Sequence, residues 1–505
     1  MSTSPTTAPV PFILSFHGPK CWILTLLFGL GLGALLSSVS VAPVAIPAPG
    51  LGQPDVSGYW GIPFVLLLLC IATVPFIHGK FWEHHFPDVS LFLGGIVLGY
   101  YMVGLKTYTV DGHPYGPFRM AEVGLDYFKF MALVGSLFIV SGGIHIDVDG
   151  RSTPLKNTLL LTVAAVLANI FGTTGASALM IRPFLRYNKH RVKPYHVMLF
   201  IFIVSNTAGC LTPIGDPPLF LGYLQGVEFT WTMVHCLPPM LVCVGLLLIV
   251  FYVMDSRDYA AHHTEQESIP AEEARTKVAV TGKQNFVFLG LVILGVCLDP
   301  LLHHQFGLKT EIPFGALLQI TVAILAYKFS RAEDLKANEF SFNPIREVGL
   351  IFAGIFTTMV PALDFLSNNA EKLGFKTPTA FYWGSGALSS FLDNAPTYLN
   401  FFSAAHGLAT PPLQVGPEAA KTPTWLALET VGKTGYSPAQ MLLAISLGSV
   451  FFGACSYIGN GPNFMVKAIA DTSGVKTPSF FGYIIRYTIP ILIPIFTLIW
   501  LIFVR

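Results

Sequence analysis

The chain has 505 residues, 53% hydrophobic and 11% charged, against the roughly 25% charge of an ordinary soluble domain, which excludes a soluble multidomain protein. Its 29 basic and 28 acidic residues nearly cancel and the basic ones are scattered, so no nucleic-acid partner is indicated and membrane lipid is the expected surrounding. Seven cysteines (Cys21, Cys70, Cys210, Cys236, Cys243, Cys297 and Cys455) sit mostly inside apolar runs, without the spacing of a disulfide framework or zinc site, and read as small core residues.

Residues 1–55 read as a tail plus an extra first helix near 22–46, whose apolar run is too long for the core of a secretory signal, so a retained helix is expected. A first repeat is assigned to 56–254, with spans near 60–78, 90–105, 127–145, 195–223 and 231–254. The stretch from Lys156 to Arg186 departs from this pattern. It is apolar but interrupted at Phe171-Gly-Thr-Thr-Gly175, with Arg151 and Lys156 before it and Arg186, Lys189, Arg191 and Lys193 after it. Basic flanks mark the cytoplasmic side, so both ends are placed there and the stretch reads as a re-entrant hairpin.

A polar cytoplasmic linker, 255–284, separates this block from a second repeat over 285–505. There the order recurs, with spans near 285–302, 312–327 and 347–366, an interrupted segment near 379–404, and spans near 438–470 and 478–503. Arg257, Lys277, Lys283, Lys328, Arg331, Lys336, Arg346 and Lys476 all fall on the cytoplasmic side of this layout, so the second hairpin opens outward. The expected fold is an all-α integral membrane protein with about eleven transmembrane helices, two re-entrant hairpins, an inverted repeat and a broken fifth helix in each half. Its expected place is the cell inner (plasma) membrane, as a multi-pass protein.

The repeat is also visible in residues. Ile214-Gly-Asp-Pro-Pro-Leu-Phe220 aligns with Ile458-Gly-Asn-Gly-Pro-Asn-Phe464, which sets Asp216 opposite Asn460. Lipid leaves no backbone group unpaired at low cost, so Gly and Pro clusters at midspan belong beside protein or a polar cavity, where freed carbonyls are ready ligands for a hard cation. Ser205, Asn206, Thr207, Thr212 and Asp216 in one half, with Ser456, Asn460 and Asn463 in the other, supply side-chain oxygens. Thr173, Thr174, Asp393, Asn394 and Thr397 join from the hairpin tips. With each hairpin packed on the broken helix of its own half, each site would receive one carboxylate for sodium, Asp216 or Asp393. Structural readings stand beside these: Asp216 before Pro217-Pro218 suits a helix N-cap, and Asp393 a loop cap. Phe381, Tyr382, Trp383 and Trp425 suit interfacial belts.

The motifs Ser205-Asn-Thr-Ala-Gly-Cys-Leu-Thr-Pro-Ile-Gly-Asp-Pro-Pro218, Leu392-Asp-Asn-Ala-Pro-Thr397 and Tyr457-Ile-Gly-Asn-Gly-Pro-Asn463 resemble the ion transporter superfamily. More closely, the chain resembles the branch catalogued as NhaD-type sodium/proton antiporters or putative citrate transporters. The resemblance implies sodium sites between hairpin tip and broken helix, a homodimer, and elevator-like movement of a transport domain. The first reading is a secondary active sodium/proton antiporter, and the alternative is a cation-coupled transporter of citrate or another small carboxylate. Sodium and protons are then transported or coupling ions, and no cofactor is expected. An intramembrane enzyme is disfavoured, since no His-Glu-x-x-His or paired-Cys motif occurs.

Overall fold

The computed structural model describes residues 19–39, 56–110, 113–261, 277–306, 312–369, 374–408 and 434–505, with a few single positions between them. Among the described residues, nine helical segments are long and apolar enough to cross a membrane. The chain divides into two compact units.

The first unit takes in α1 (Pro19–Val39), α2 (Ile62–Ile77), α3 (Gly79–Gly99), the opening of α4 (Tyr115–Gly142) and Arg346–Ala362 of α12 (Asn343–Asn369). Here α1 and α3 pack at backbone distance: a Cβ on Gly95 would lie 2.7 Å from the Leu26 carbonyl oxygen, and glycines on both helices line the seam. Helix α3 begins well before the expected span near 90, because Gly79–Ser90 continues the helix through polar residues.

The second unit, Leu125–Ile345 with Leu363–Arg505, holds the remaining elements. Its first half has α5 (Pro154–Tyr187), α6 (Pro194–Ile203), α7 (Pro217–Leu224) and α8 (Phe229–Ala261). Then come α9 (Asn285–Phe306), α10 (Phe314–Phe329) and α11 (Ala332–Ala337), before α12. After α12 come α13 (Pro378–Ser389), α14 (Asn394–Gly407), α15 (Pro438–Phe452), α16 (Gly461–Thr472) and a last span over Phe480–Val504.

The interruption expected near Phe171 is present. Gly172 has φ 73° and ψ 158°, which breaks α5 into two arms, and a left-handed φ is open to Gly without the Cβ penalty. The chain reverses there, since Asn157 and Asn188, 31 residues apart, exchange side-chain hydrogen bonds of 2.7 and 3.0 Å. The second interruption separates α13 from α14.

Sites expected to be linker or interface are buried instead. Helix α8 runs on through Asp255, fully buried, to Ala261. Beyond the undescribed residues, β2 (Lys277–Thr281) pairs antiparallel with β1 (His145–Asp149). Phe381 and Tyr382 are not belt residues: both are fully buried, and the Tyr382 hydroxyl donates to the Phe496 carbonyl at 2.9 Å. Trp425 lies outside the described residues. Four of the cysteines are core residues as expected, but Cys297 is exposed.

Candidate functional site around Asp216

Among the candidate spans of the described residues, the two broken segments are the most enclosed. Of the residues in Pro194–Leu211 and Pro438–Cys455, 89% and 83% are buried, against 39% and 33% for apolar 18-residue stretches of α8 and the last span. Helix α6 stops at Ile203 and gives way to a short 3₁₀ turn, Thr207–Leu211, before α7. Likewise α15 passes through the 3₁₀ turn Gly453–Cys455 before α16. Proline is the reason each resumes where it does, since Pro217 and Pro462 occupy the first turn, where a missing N–H costs nothing.

The two breaks match in detail. Asp216 and Asn460 have nearly the same extended backbone, φ −144° and ψ 143° against φ −153° and ψ 140°. Thr212 and Ser456 play one role: each hydroxyl donates to a carbonyl of the interrupted segment in its own half, Asn169 at 2.8 Å and Ser390 at 2.6 Å. Gly209 and Gly215 cross at backbone contact, as do Gly453 and Gly459, where a Cβ on Gly459 would lie 2.6 Å from the Gly453 oxygen. Each pairing spans the same 244 residues that separate Asp216 from Asn460.

Asp216 is the centre. It is fully buried, and its carboxylate accepts the Thr173 hydroxyl at 2.7 Å, the Asn394 amide at 2.6 Å and the Asn460 amide at 3.1 Å. The side chain makes no capping bond to its own helix, so the N-cap reading accounts for its backbone and not for its carboxylate. A network of amides extends from it. Asn460 also donates to the Ser205 carbonyl at 3.1 Å and Asn206 Oδ1 at 3.2 Å, and Asn206 donates to Asn463 Oδ1 at 2.7 Å. Asn463 in turn donates to the Gly453 and Ser456 carbonyls, both at 2.8 Å.

Four helices begin at this carboxylate: the second arm of α5 after Gly172, α7 after Asp216, α14 at Asn394 and α16 after Asn460. Helix N-termini carry partial positive charge and unpaired N–H groups, so their convergence favours anions without a lysine or arginine. Asn394 Oδ1 is buried with no hydrogen-bond partner among the described residues, which leaves one oxygen beside Asp216 suited to a cation.

Other expected site residues make their hydrogen bonds to partners other than Asp216. Asp393 accepts the Ala395 N–H at 3.0 Å, the cap of its own helix, and its carbonyl accepts the Thr397 hydroxyl at 3.0 Å. Thr207 donates to the Phe202 carbonyl at 2.8 Å, and Ser205 meets Ser177 at 2.8 Å. Thr174 is only partly buried and lines a small pocket with Leu137, Phe171, Pro213 and Phe220. Asp216 draws donors from both halves, Thr173 from the first and Asn394 and Asn460 from the second. Ser390 was not singled out from sequence, whereas Gly215 and Gly459 stand at matched places of the two aligned motifs, and the same 244-residue offset pairs Gly209 with Gly453.

Residues 53–504 match the family described as putative citrate transport. No curated protein matches the chain.

Proposed function

Because the chain belongs to the putative citrate transport family, we propose that it is a secondary active carrier of citrate or a related small carboxylate, coupled to a cation held at Asp216. It is a multi-pass membrane protein of a transporter family, not an enzyme. The observation that carries the reading is the meeting of four helix N-termini at one buried carboxylate. The helix ends suit a substrate carboxylate. Asp216 and the unpartnered Asn394 oxygen suit a hard cation such as sodium. Binding both together is the simplest source of coupling, since each charge offsets the other in a poorly solvated site.

Family membership weighs for this reading over sodium/proton antiport. What favours antiport is that the donors around Asp216 are all neutral, so a proton and a sodium ion could compete for it.

The matched breaks support an inverted repeat of residues 56–254 and 285–505 about the linker 255–284. The reversal at Gly172 supports a re-entrant hairpin, and taking α5 out of the nine span-length segments as that hairpin and adding α1, α9 and α10 gives the eleven-helix layout. Alternating access of the elevator kind, a homodimer and the inner membrane belong to the same proposal.

Proteoliposomes test it. Citrate uptake driven by an imposed sodium gradient, abolished in Asp216→Asn, is the expected result. Collapse of a proton gradient by sodium without any carboxylate, and with no citrate uptake, would select antiport instead.

A further inference from the structure

Asp255, near the end of α8, is fully buried. Its carboxylate accepts Nη1 and Nη2 of Arg191, the Tyr195 hydroxyl at 2.7 Å and the Asn157 amide at 2.9 Å, and His196 Nε2 lies 3.2 Å away. Arg191 Nε donates to Ser152 at 2.9 Å. The Lys193 backbone N–H donates to His196 Nδ1 at 3.1 Å, which leaves the ring proton on Nε2, facing Asp255. Burial opposes the Arg191 charge, and Asp255 more than reverses that effect.

One carboxylate thus gathers both ends of α5 and the start of α6. The far ends of the same helices form the Asp216 centre. Ten residues of α6 span roughly 15 Å from this knot toward Ser205 and Asn206, and Ser177 on the second arm of α5 meets Ser205 at 2.8 Å. A buried ion pair is a poor source of stability, because apolar residues of similar volume commonly serve as well, but its directional bonds fix register.

We propose that Asp255 is a positioning residue for the Asp216 centre, setting the axial register of α6 against the two arms of α5. Thr173, Ser205 and Asn206 then arrive where Asp216 and Asn460 meet them. A register error at the knot moves Ser205 past Ser177 and misplaces the carbonyl and amide that orient Asn460.

The inference rests on the carrier reading for one of its two readouts only. Ser177→Cys with Ser205→Cys sets two thiols where two hydroxyls now touch, and copper-phenanthroline oxidation followed by the mass of the joined peptides reports their approach without transport. The test adds Asp255→Asn, and separately Arg191→Gln with Asp255→Asn, which leaves no lone buried charge should the single variant fail to fold. In folded protein, cross-linking falls roughly fivefold and, without the added cysteines, the half-saturating sodium concentration for citrate uptake rises about tenfold. Unchanged cross-linking in the folded double variant, or unchanged half-saturation in a variant that transports, overturns the proposal. A parent protein without sodium-coupled citrate uptake strikes the carrier reading instead, and the cross-linking still decides the role of Asp255.

Discussion

Asn394 donates its side-chain amide to Asp216 across 2.6 Å, although 178 residues separate them. The first residue of α14 is therefore part of the centre built on the break before α7, and the two halves of the chain share one buried carboxylate.

Removing that donor should weaken cation binding without unfolding the protein. Asn394→Ala removes the unpartnered Oδ1 offered to the cation along with the amide that orients it, and at about 1–3 kcal/mol for such a contact the half-saturating sodium concentration for uptake should rise roughly 5- to 150-fold. Asn394→Asp, which sets a second carboxylate against the first, should be worse. Sodium titration of uptake in proteoliposomes checks both, and equal affinity in Asn394→Ala and parent would remove Asn394 from the site.

The two aspartates should separate cleanly. Asp216→Asn keeps the volume but loses the charge, and coupled uptake should vanish while the unfolding temperature holds or rises. Asp393→Asn retains a capping oxygen, and even Asp393→Ala should cost only about 1 kcal/mol of stability, with uptake preserved. Parallel uptake and thermal-unfolding measurements decide this, and loss of uptake in Asp393→Asn at normal stability would restore Asp393 to the transport pathway.

Gly215→Ala and Gly459→Ala should both destabilise, because the added Cβ meets a backbone oxygen that cannot yield. Overpacking of this kind costs about 1–3 kcal/mol. Gly461→Ala, with nothing within 4 Å of the added atom, is the silent control. Unfolding temperatures in detergent provide the comparison.

One acid dependence follows from the end of α16. Burial would raise the Asp471 carboxyl, but hydrogen bonds from Lys467 and Thr477 outweigh it and hold it below its ordinary 3.8. Because the folded value is the lower one, the stabilisation is complete above 3.8 and is lost as pH falls through the folded value. Lys467→Gln should shrink this loss, read as a smaller drop in unfolding temperature between neutral and acid pH.

The breaks themselves were legible in sequence, because Gly and Pro at midspan have few physical uses in lipid. So was Asp216, which stands opposite Asn460 in a motif that keeps Ile, Gly, Pro and Phe at the same places in both halves. What could not be read was direction. Asp393 and Asn394 are neighbours, yet one caps its own helix and the other crosses to Asp216, a choice set by how α14 enters the core. Asp255 was hidden for another reason: followed by Ser256, Arg257 and Asp258, it resembles the polar start of a loop, and only its distant partners reveal a buried carboxylate. Phe381 and Tyr382 misled in the opposite way, since aromatic residues near a helix start suit an interface and a core equally.

The crossed glycines have a mechanical consequence. Where Gly209 meets Gly215 and Gly453 meets Gly459, the chain on either side of each break is riveted through its own backbone. So close a crossing leaves each break little room to close further, since backbone would meet backbone. On the proposed carrier reading, a displacement that exposes Asp216 to one side and then the other would carry both tightly crossed breaks along with it.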